Sequence, residues 1–128
     1  MGVVDWNDWT ARAARALDLT SGATLEDWVG LFAPGGTYED PVNPRTADVG
    51  SIHLMTKATL PDWRSTVLSV TGDSAAAAFE WIGEATAAGQ SIRMAGCTVV
   101  HLNAGGLVTR WRDYFDMKDF EDQLRPGT

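Results

Sequence analysis

Apolar residues recur at helical spacing over the first part of the chain and at every second position over the rest. From Asp5 to Leu17, the residues Trp6, Trp9, Ala13, Ala16 and Leu17 form one stripe, while Arg12 and Arg15 fall off it. That pattern predicts an amphipathic helix. Ser21-Gly22 breaks it. A second helix is predicted to open at Thr24, with Asp27 three residues on as a weaker relative of the capping box. Leu25, Trp28, Val29 and Phe32 supply its apolar face, and Ala33-Pro34-Gly35-Gly36 ends it. Thr37 to Asp40 is a short extended piece stopped by Pro41, and Asn43-Pro44 prolongs the turn. A third helix is predicted from about Asp48 to Leu60, with Val49, Ile52, Met55 and Thr56 facing inward and Pro61 closing it.

Beyond Pro61 the period changes to two. Ser65 to Val70, Ala76 to Thr86 and Ser91 to Leu102 read as strands, separated by turns at Thr71-Gly72-Asp73 and at Ala87 to Gln90. Asn103-Ala104-Gly105-Gly106 then turns the chain into a last strand, Thr109 to Asp116, followed by a short helix from Met117 to Leu124. Helices first and a meander of strands afterwards predict an α+β fold. A strongly curved sheet folded over three helices would enclose a conical cavity and leave its other face for a partner subunit.

The last strand carries the first candidate chemistry. Trp111, Asp113 and Phe115 share one face, and Arg110, Arg112 and Tyr114 take the other. A carboxylate between two large aromatics is either solvated, paired with Arg110 or Arg93, or held in an apolar pocket where burial shifts its pKa. Tyr38 and Asp40, two apart on an extended segment, also face one way. If they share a cavity with Asp113, two close carboxyls cannot both ionise freely. One would act as general acid, the other would accept a proton or activate water, and the Tyr38 hydroxyl would donate to a substrate oxygen. Such a set serves proton shuffling beside a carbonyl, aldol closure, dehydration or epoxide opening, none of which needs a metal or organic cofactor. The plainer readings are that Asp40 initiates a turn before Pro41 and that Tyr38 is a core aromatic.

The other candidates follow from the same faces. Trp63 and Trp81 are expected at a pocket wall, with Trp28, Phe115 and Met55 as further substrate-binding positions. His53 is either a proton carrier on the third helix or a structural histidine. Glu80 and Glu84 alternate away from Trp81 and face outward unless a bulge reverses them. Cys97 reads as a small buried residue and His101 as exposed. Arg110, Arg112 and Tyr114 suit a dimer interface better than chemistry.

Composition narrows the classes. At 128 residues the expectation is one domain, and a net charge of −7 with ten scattered basic residues argues against nucleic acid as partner. Six Trp in so short a chain point to an indole-lined core or pocket. The single Cys97 excludes an internal disulfide and a thiolate metal cage. Met1 to Asp8 lacks a basic region followed by an apolar run, and no stretch approaches the ~18 apolar residues a bilayer span requires. A cytoplasmic protein without a membrane partner is expected.

Leu31-Phe32-Ala33, then Thr37-Tyr38-Glu39-Asp40-Pro41, and finally Trp111-Arg112-Asp113-Tyr114-Phe115-Asp116 resemble the nuclear transport factor 2-like superfamily. Within it the chain is similar to the SnoaL-like polyketide cyclase and limonene-1,2-epoxide hydrolase branch, from about Ala11 to Leu124. The resemblance implies one SnoaL-like domain over residues 1–128, a cone-shaped, curved mixed β-sheet around three N-terminal helices, a deep apolar pocket and a homodimer. In the limonene-epoxide hydrolases it implies an Asp-Arg-Asp triad helped by a Tyr and an Asn. Asp113 matches one Asp, Tyr38 the Tyr and Asp40 the Asn place, whereas Trp81 and Gly83 stand at the Arg and second Asp. Against the ketosteroid isomerases, Asp40 matches the proton-moving carboxylate, but Ala16 and Thr98 stand at the oxyanion-hole Tyr and Asp. The SnoaL-like cyclases remain the closest fit. The expected function is therefore a cofactor-independent acid–base enzyme acting on a hydrophobic oxygenated molecule such as a polyketide or terpenoid intermediate, with Asp40 and Asp113 as the pair. An epoxide hydrolase or epoxide-opening cyclase with an altered triad, and a non-catalytic binding or dimerisation module, are the alternatives.

Overall fold

The computed structural model describes residues 4–125. Helix α1 (Trp6–Leu17) opens on Asp5, whose side chain accepts from the backbone N–H groups of Asn7 and Asp8. Its predicted stripe is the buried one: Trp6, Trp9, Ala13 and Ala16 all lie in the core. Helix α2 (Leu25–Val29) carries a complete capping box between Thr24 and Asp27. It is shorter than the apolar spacing suggests. Phe32, expected on its face, is the first residue of strand β1 (Phe32–Glu39), and Val29 is 40% exposed.

The reason lies in Pro34-Gly35-Gly36, which sits inside the strand as an irregularity rather than after a helix. Gly35 takes a φ of +78°, and Gly36 lies so close to the Val108 carbonyl that a Cβ would collide with it. Pairing therefore jumps from Phe32↔Val108 to Thr37↔Arg110. Helix α3 (Val49–Thr59) buries Val49 and His53, with Ile52 and Thr56 half-buried and Met55 at 40% exposure. The inward set thus follows i, i+3, i+4, i+7, which places His53 where Met55 was expected.

The strands follow as expected: β2 (Arg64–Gly72), β3 (Ala76–Ala87), β4 (Gln90–Leu102) and β5 (Val108–Phe115), with helix α4 (Met117–Leu124) at the end. Ala88 and Gly89, at φ +51° and +76°, make the two-residue primed turn between β3 and β4. The sheet runs β1-β5-β4-β3-β2, antiparallel except for the parallel β1/β5 pair. It curves without closing, and β1 and β2 are its edges among the described residues.

Trp111 on β5 is the hub of the core. Its ring centroid lies 5.0 Å from Trp28, 6.0 Å from Phe79, 6.1 Å from Phe32 and 6.2 Å from Trp9, in edge-on or tilted contacts. Trp28 donates to the Val49 carbonyl at 2.8 Å, and Trp6 to the Asp73 carbonyl at 2.6 Å. These bonds satisfy buried indole N–H groups while tying helices to one another and to the β2–β3 turn.

On the outer face three expectations resolve. Glu80 and Glu84 point outward, because the irregularity lies in β2 between Val67 and Ser69 and leaves the parity of β3 intact. Cys97 is half-buried on that same outer face rather than in the core, since Gly96 and Thr98 hold the inner parity. His101 is also half-buried, with its Nε2 3.4 Å from the Arg112 guanidinium. Among the described residues no helix is long and apolar enough to cross a membrane. The start of the Met1 to Asp8 segment lies outside the described residues.

Candidate active site

Between the inner sheet face and helices α1, α3 and α4 lies a cavity of about 490 Å³. Every residue expected at the site lines it: Tyr38, Asp40 and Asp113, and also Trp28, His53, Met55, Trp63, Trp81 and Phe115. They are not equivalent. Trp28 is 1% exposed and forms the back of the wall, while Met55 belongs to the rim. The cavity shares its His53 and Leu19 walls with a second depression outside, between α2 and α3.

The polar end is built on two neighbouring strands. β1 pairs with β5 in parallel with Tyr38 opposite Trp111, which sets the Tyr38 and Asp113 side chains near each other on the inner face. The Tyr38 hydroxyl lies 2.6 Å from Asp40 Oδ2 and 3.0 Å from Asp113 Oδ2. A phenol has one proton, so it donates to only one of them at a time. When it serves Asp40, the shorter contact, the Asp113 contact is a hydrogen bond only if Asp113 Oδ2 itself carries a proton.

Asp113 Oδ1 is differently placed. It accepts from the Thr98 hydroxyl at 2.5 Å and from the Trp111 indole N–H at 2.7 Å. The ion pair with Arg110 or Arg93 does not form; Arg110 is bound to Glu39 at 2.9 Å. Asp113 touches the cavity yet is packed closely by protein. The loss of water is the larger effect: it pushes the carboxyl from 3.8 to about 6, against the donors Thr98, Trp111 and Tyr38, which favour the charged form, and with a smaller push from Asp40. Burial, reinforced by the charges of Asp113 and Asp40, raises the Tyr38 hydroxyl well above its ordinary range, so it remains a donor.

Asp40 is both a turn residue and part of the cavity lining. Its Oδ1 accepts from the backbone N–H groups of Val42 and Asn43, each at 2.7 Å, which is the Asp-Pro turn expected from the sequence. The Asn43 side-chain amide reaches both carboxyl oxygens, at 3.1 and 3.0 Å. Two residues the spacing argument missed therefore belong here. Thr98, 1% exposed, holds Asp113, and Asn43 holds Asp40. Asn43 sits next to a visible turn signal. Thr98 is found only through the β4/β5 register, which sets it opposite Asp113. Among the described residues, no group of three or more His, Cys, Asp or Glu is arranged to hold a metal ion.

The open, helix-covered mixed sheet that holds the pocketed carboxyl and phenol is a nuclear transport factor 2-like, ketosteroid isomerase-like fold. Residues 13–111 match the model of the SnoaL-like domain, and the chain belongs to that family. A candidate polyketide cyclase from Acidithiobacillus ferrooxidans aligns over 100% of both chains with a TM-score of 0.79 at 20% identity. IdmH, a candidate polyketide cyclase from Streptomyces antibioticus, gives 0.77 at 18% identity over 94% of this chain and 99% of its own. An LEH-like epoxide hydrolase of M. tuberculosis gives 0.72 at 19% identity over 91% of this chain and 86% of its own. At these identities the likeness is one of fold. No curated protein matches at a significant level.

Proposed function

We propose that this protein is a cofactor-independent acid–base enzyme of the SnoaL type, acting on a hydrophobic oxygenated small molecule such as a polyketide or terpenoid intermediate. The observation that carries the reading is the Tyr38 hydroxyl set between Asp40 and Asp113 at the polar end of an otherwise apolar cavity. A carboxyl titrating at about 6 exchanges protons readily near neutrality. Asp113 Oδ2, whose one side-chain partner among the described residues is Tyr38, takes a proton from a carbon beside a carbonyl or returns one. Once protonated it donates to Tyr38, and Tyr38 donates to Asp40, so the new proton is stabilised by a chain that already exists.

Among the described residues the lining contains no Lys or Arg, and His53 is its one side chain able to carry a positive charge, which favours a largely uncharged substrate. Trp63, Trp81, Phe115 and Phe79 would hold its apolar body. Epoxide opening is the weaker second reading. Tyr38 and Asp113 could serve it, but Trp81 and Gly83 supply no guanidinium or second carboxylate, and the Asn43 amide is engaged by Asp40. Diol carrying oxygen-18 after turnover of an epoxide panel in labelled water would establish it instead.

We also infer that a second copy covers the outer sheet face. Tyr114 and Leu68 are 50% and 59% exposed there, and Arg112 Nε is buried with no hydrogen-bond partner among the described residues. Arg112 on β5 and Glu80 on β3 share that face, so a twofold could set one against the other.

The test of the catalytic reading is turnover of substrates found by screening, with folding monitored by circular dichroism. Asp113→Asn is expected to lower kcat by about 10²–10⁴, and Asp40→Asn to lower it less. Activity that survives both changes would rule these carboxyls out as the machinery.

A further inference from the structure

Trp81 lines the cavity, and as a wall alone it needs no polar partner. Its surroundings are more specific than that. It sits on β3 directly opposite Gly96 on β4, and a Cβ on Gly96 would overlap the six-membered ring of the indole. Gly83 does the same for Trp63, whose ring packs edge-on against Trp81 at 5.9 Å and 79°. Two glycines on adjacent strands thus leave seats for two indoles, and Trp63 braces Trp81 from the side.

The seat delivers the Trp81 N–H to Thr98 Oγ1 at 2.8 Å. An indole only donates, so Thr98 must accept there, and its single hydroxyl proton is left to point elsewhere. It points to Asp113 Oδ1, where the Trp111 N–H also arrives. A carboxyl group turns easily about its last torsion. Two donors on Oδ1 stop that rotation and leave Oδ2 as the oxygen facing Tyr38. The chain from Trp81 through Thr98 to Asp113 is buried: Trp81 is 6% and Thr98 1% exposed. Asp40, the other carboxyl at this end, is reached through Tyr38 and lies outside this chain of donors.

We propose that Trp81 is a positioning residue that acts through Thr98 to hold the Asp113 carboxyl with Oδ2 toward Tyr38, and that Gly96 exists to admit its ring. The proposal rests on the acid–base reading of Asp113 for its functional meaning, but its geometry is tested without any substrate.

The experiment is a pH titration of the wild-type protein by NMR, following the carboxyl carbon of Asp113 together with the indole N–H of Trp81. Through Thr98, the Trp81 resonance is expected to shift with the same midpoint as Asp113. In Thr98→Val, which removes the hydroxyl and keeps the shape, that coupled shift is expected to vanish and the Asp113 midpoint to rise by about one pH unit, because a donor to the charged form is lost. Thr98→Ser should restore both. Trp81→Phe, which lacks the N–H, should move Asp113 the same way by less. A Trp81 resonance that stays flat through the Asp113 midpoint in the folded wild type, or that still follows it in Thr98→Val, overturns the proposal. An Asp113 midpoint at its ordinary value would count against the acid–base reading, and the Trp81 resonance would still have to follow it for the positioning role to stand.

Discussion

At the scale of single residues, Asp113 sets a loss of hydration against three hydrogen bonds, and the hydration loss wins. Its pKa in the fold is raised from 3.8 to about 6. Between those values the folded state holds more protons than the unfolded chain, so stability falls as pH rises through that window. The cost is fully present above about 6 and amounts to roughly 3 kcal/mol at most. Asn at this position resembles the protonated acid, with its oxygen toward Thr98 and Trp111 and its amide toward Tyr38. Asp113→Asn is therefore expected to melt at a higher temperature than wild type at pH 8, with the difference disappearing near pH 4, while activity is lost. Thermal melts at the two pH values check this. Period-two alternation is enough to put Trp111 and Phe115 on the Asp113 face. It cannot reveal Thr98, which lies 15 residues upstream and meets Asp113 only through the register across a turn.

Among the elements, the sequence misleads most where a local signal has a second use. Pro34-Gly35-Gly36 reads as a helix stop, yet it is a kink within β1, and the Phe32 that looks like the end of a helical stripe is a strand residue packed on Trp28 at 4.9 Å. Glycine inside β3 and β4 looks like weak strand chemistry and instead makes room for indoles. Gly83→Ala forces the Trp63 ring to move and is expected to cost about 1–3 kcal/mol of stability, measured by urea unfolding, with altered binding of apolar ligands to the cavity. The outer face supplies its own test. In the proposed dimer, Arg112→Glu would set like charges against Glu80 of the second copy, so a dimer in wild-type sedimentation is expected to become a monomer in the variant.

For the molecule as a whole, the α+β order is visible because the hydrophobic period switches near Pro61. The order of strands is not, since no local pattern announces that β1 lies parallel beside β5. That pairing alone brings Tyr38 to Asp113, so the site could be assembled from sequence only with the help of family resemblance. The molecule also carries opposing acid groups. Asp18, Asp27 and Asp73 have pKa values lowered chiefly by hydrogen bonds at caps and turns, and Asp62 by those from Thr86 on β3, and their stabilisation is lost as pH falls below 3.8. Asp113 loses stability in the other direction, as pH rises toward about 6. The melting temperature is expected to peak near pH 4, where the two ranges meet, and in Asp113→Asn the peak should extend to neutral pH.

The central claim is that Asp113 is a pocketed carboxyl poised to exchange a proton near neutrality. The most direct measurement is the titration of its carboxyl carbon by NMR in protein labelled at aspartate, with Asp113→Asn supplying the assignment. A midpoint of about 6 is the predicted result. A midpoint at the ordinary 3.8 would contradict the claim, because the carboxyl would then stay ionised throughout the neutral range and hold no proton to exchange there.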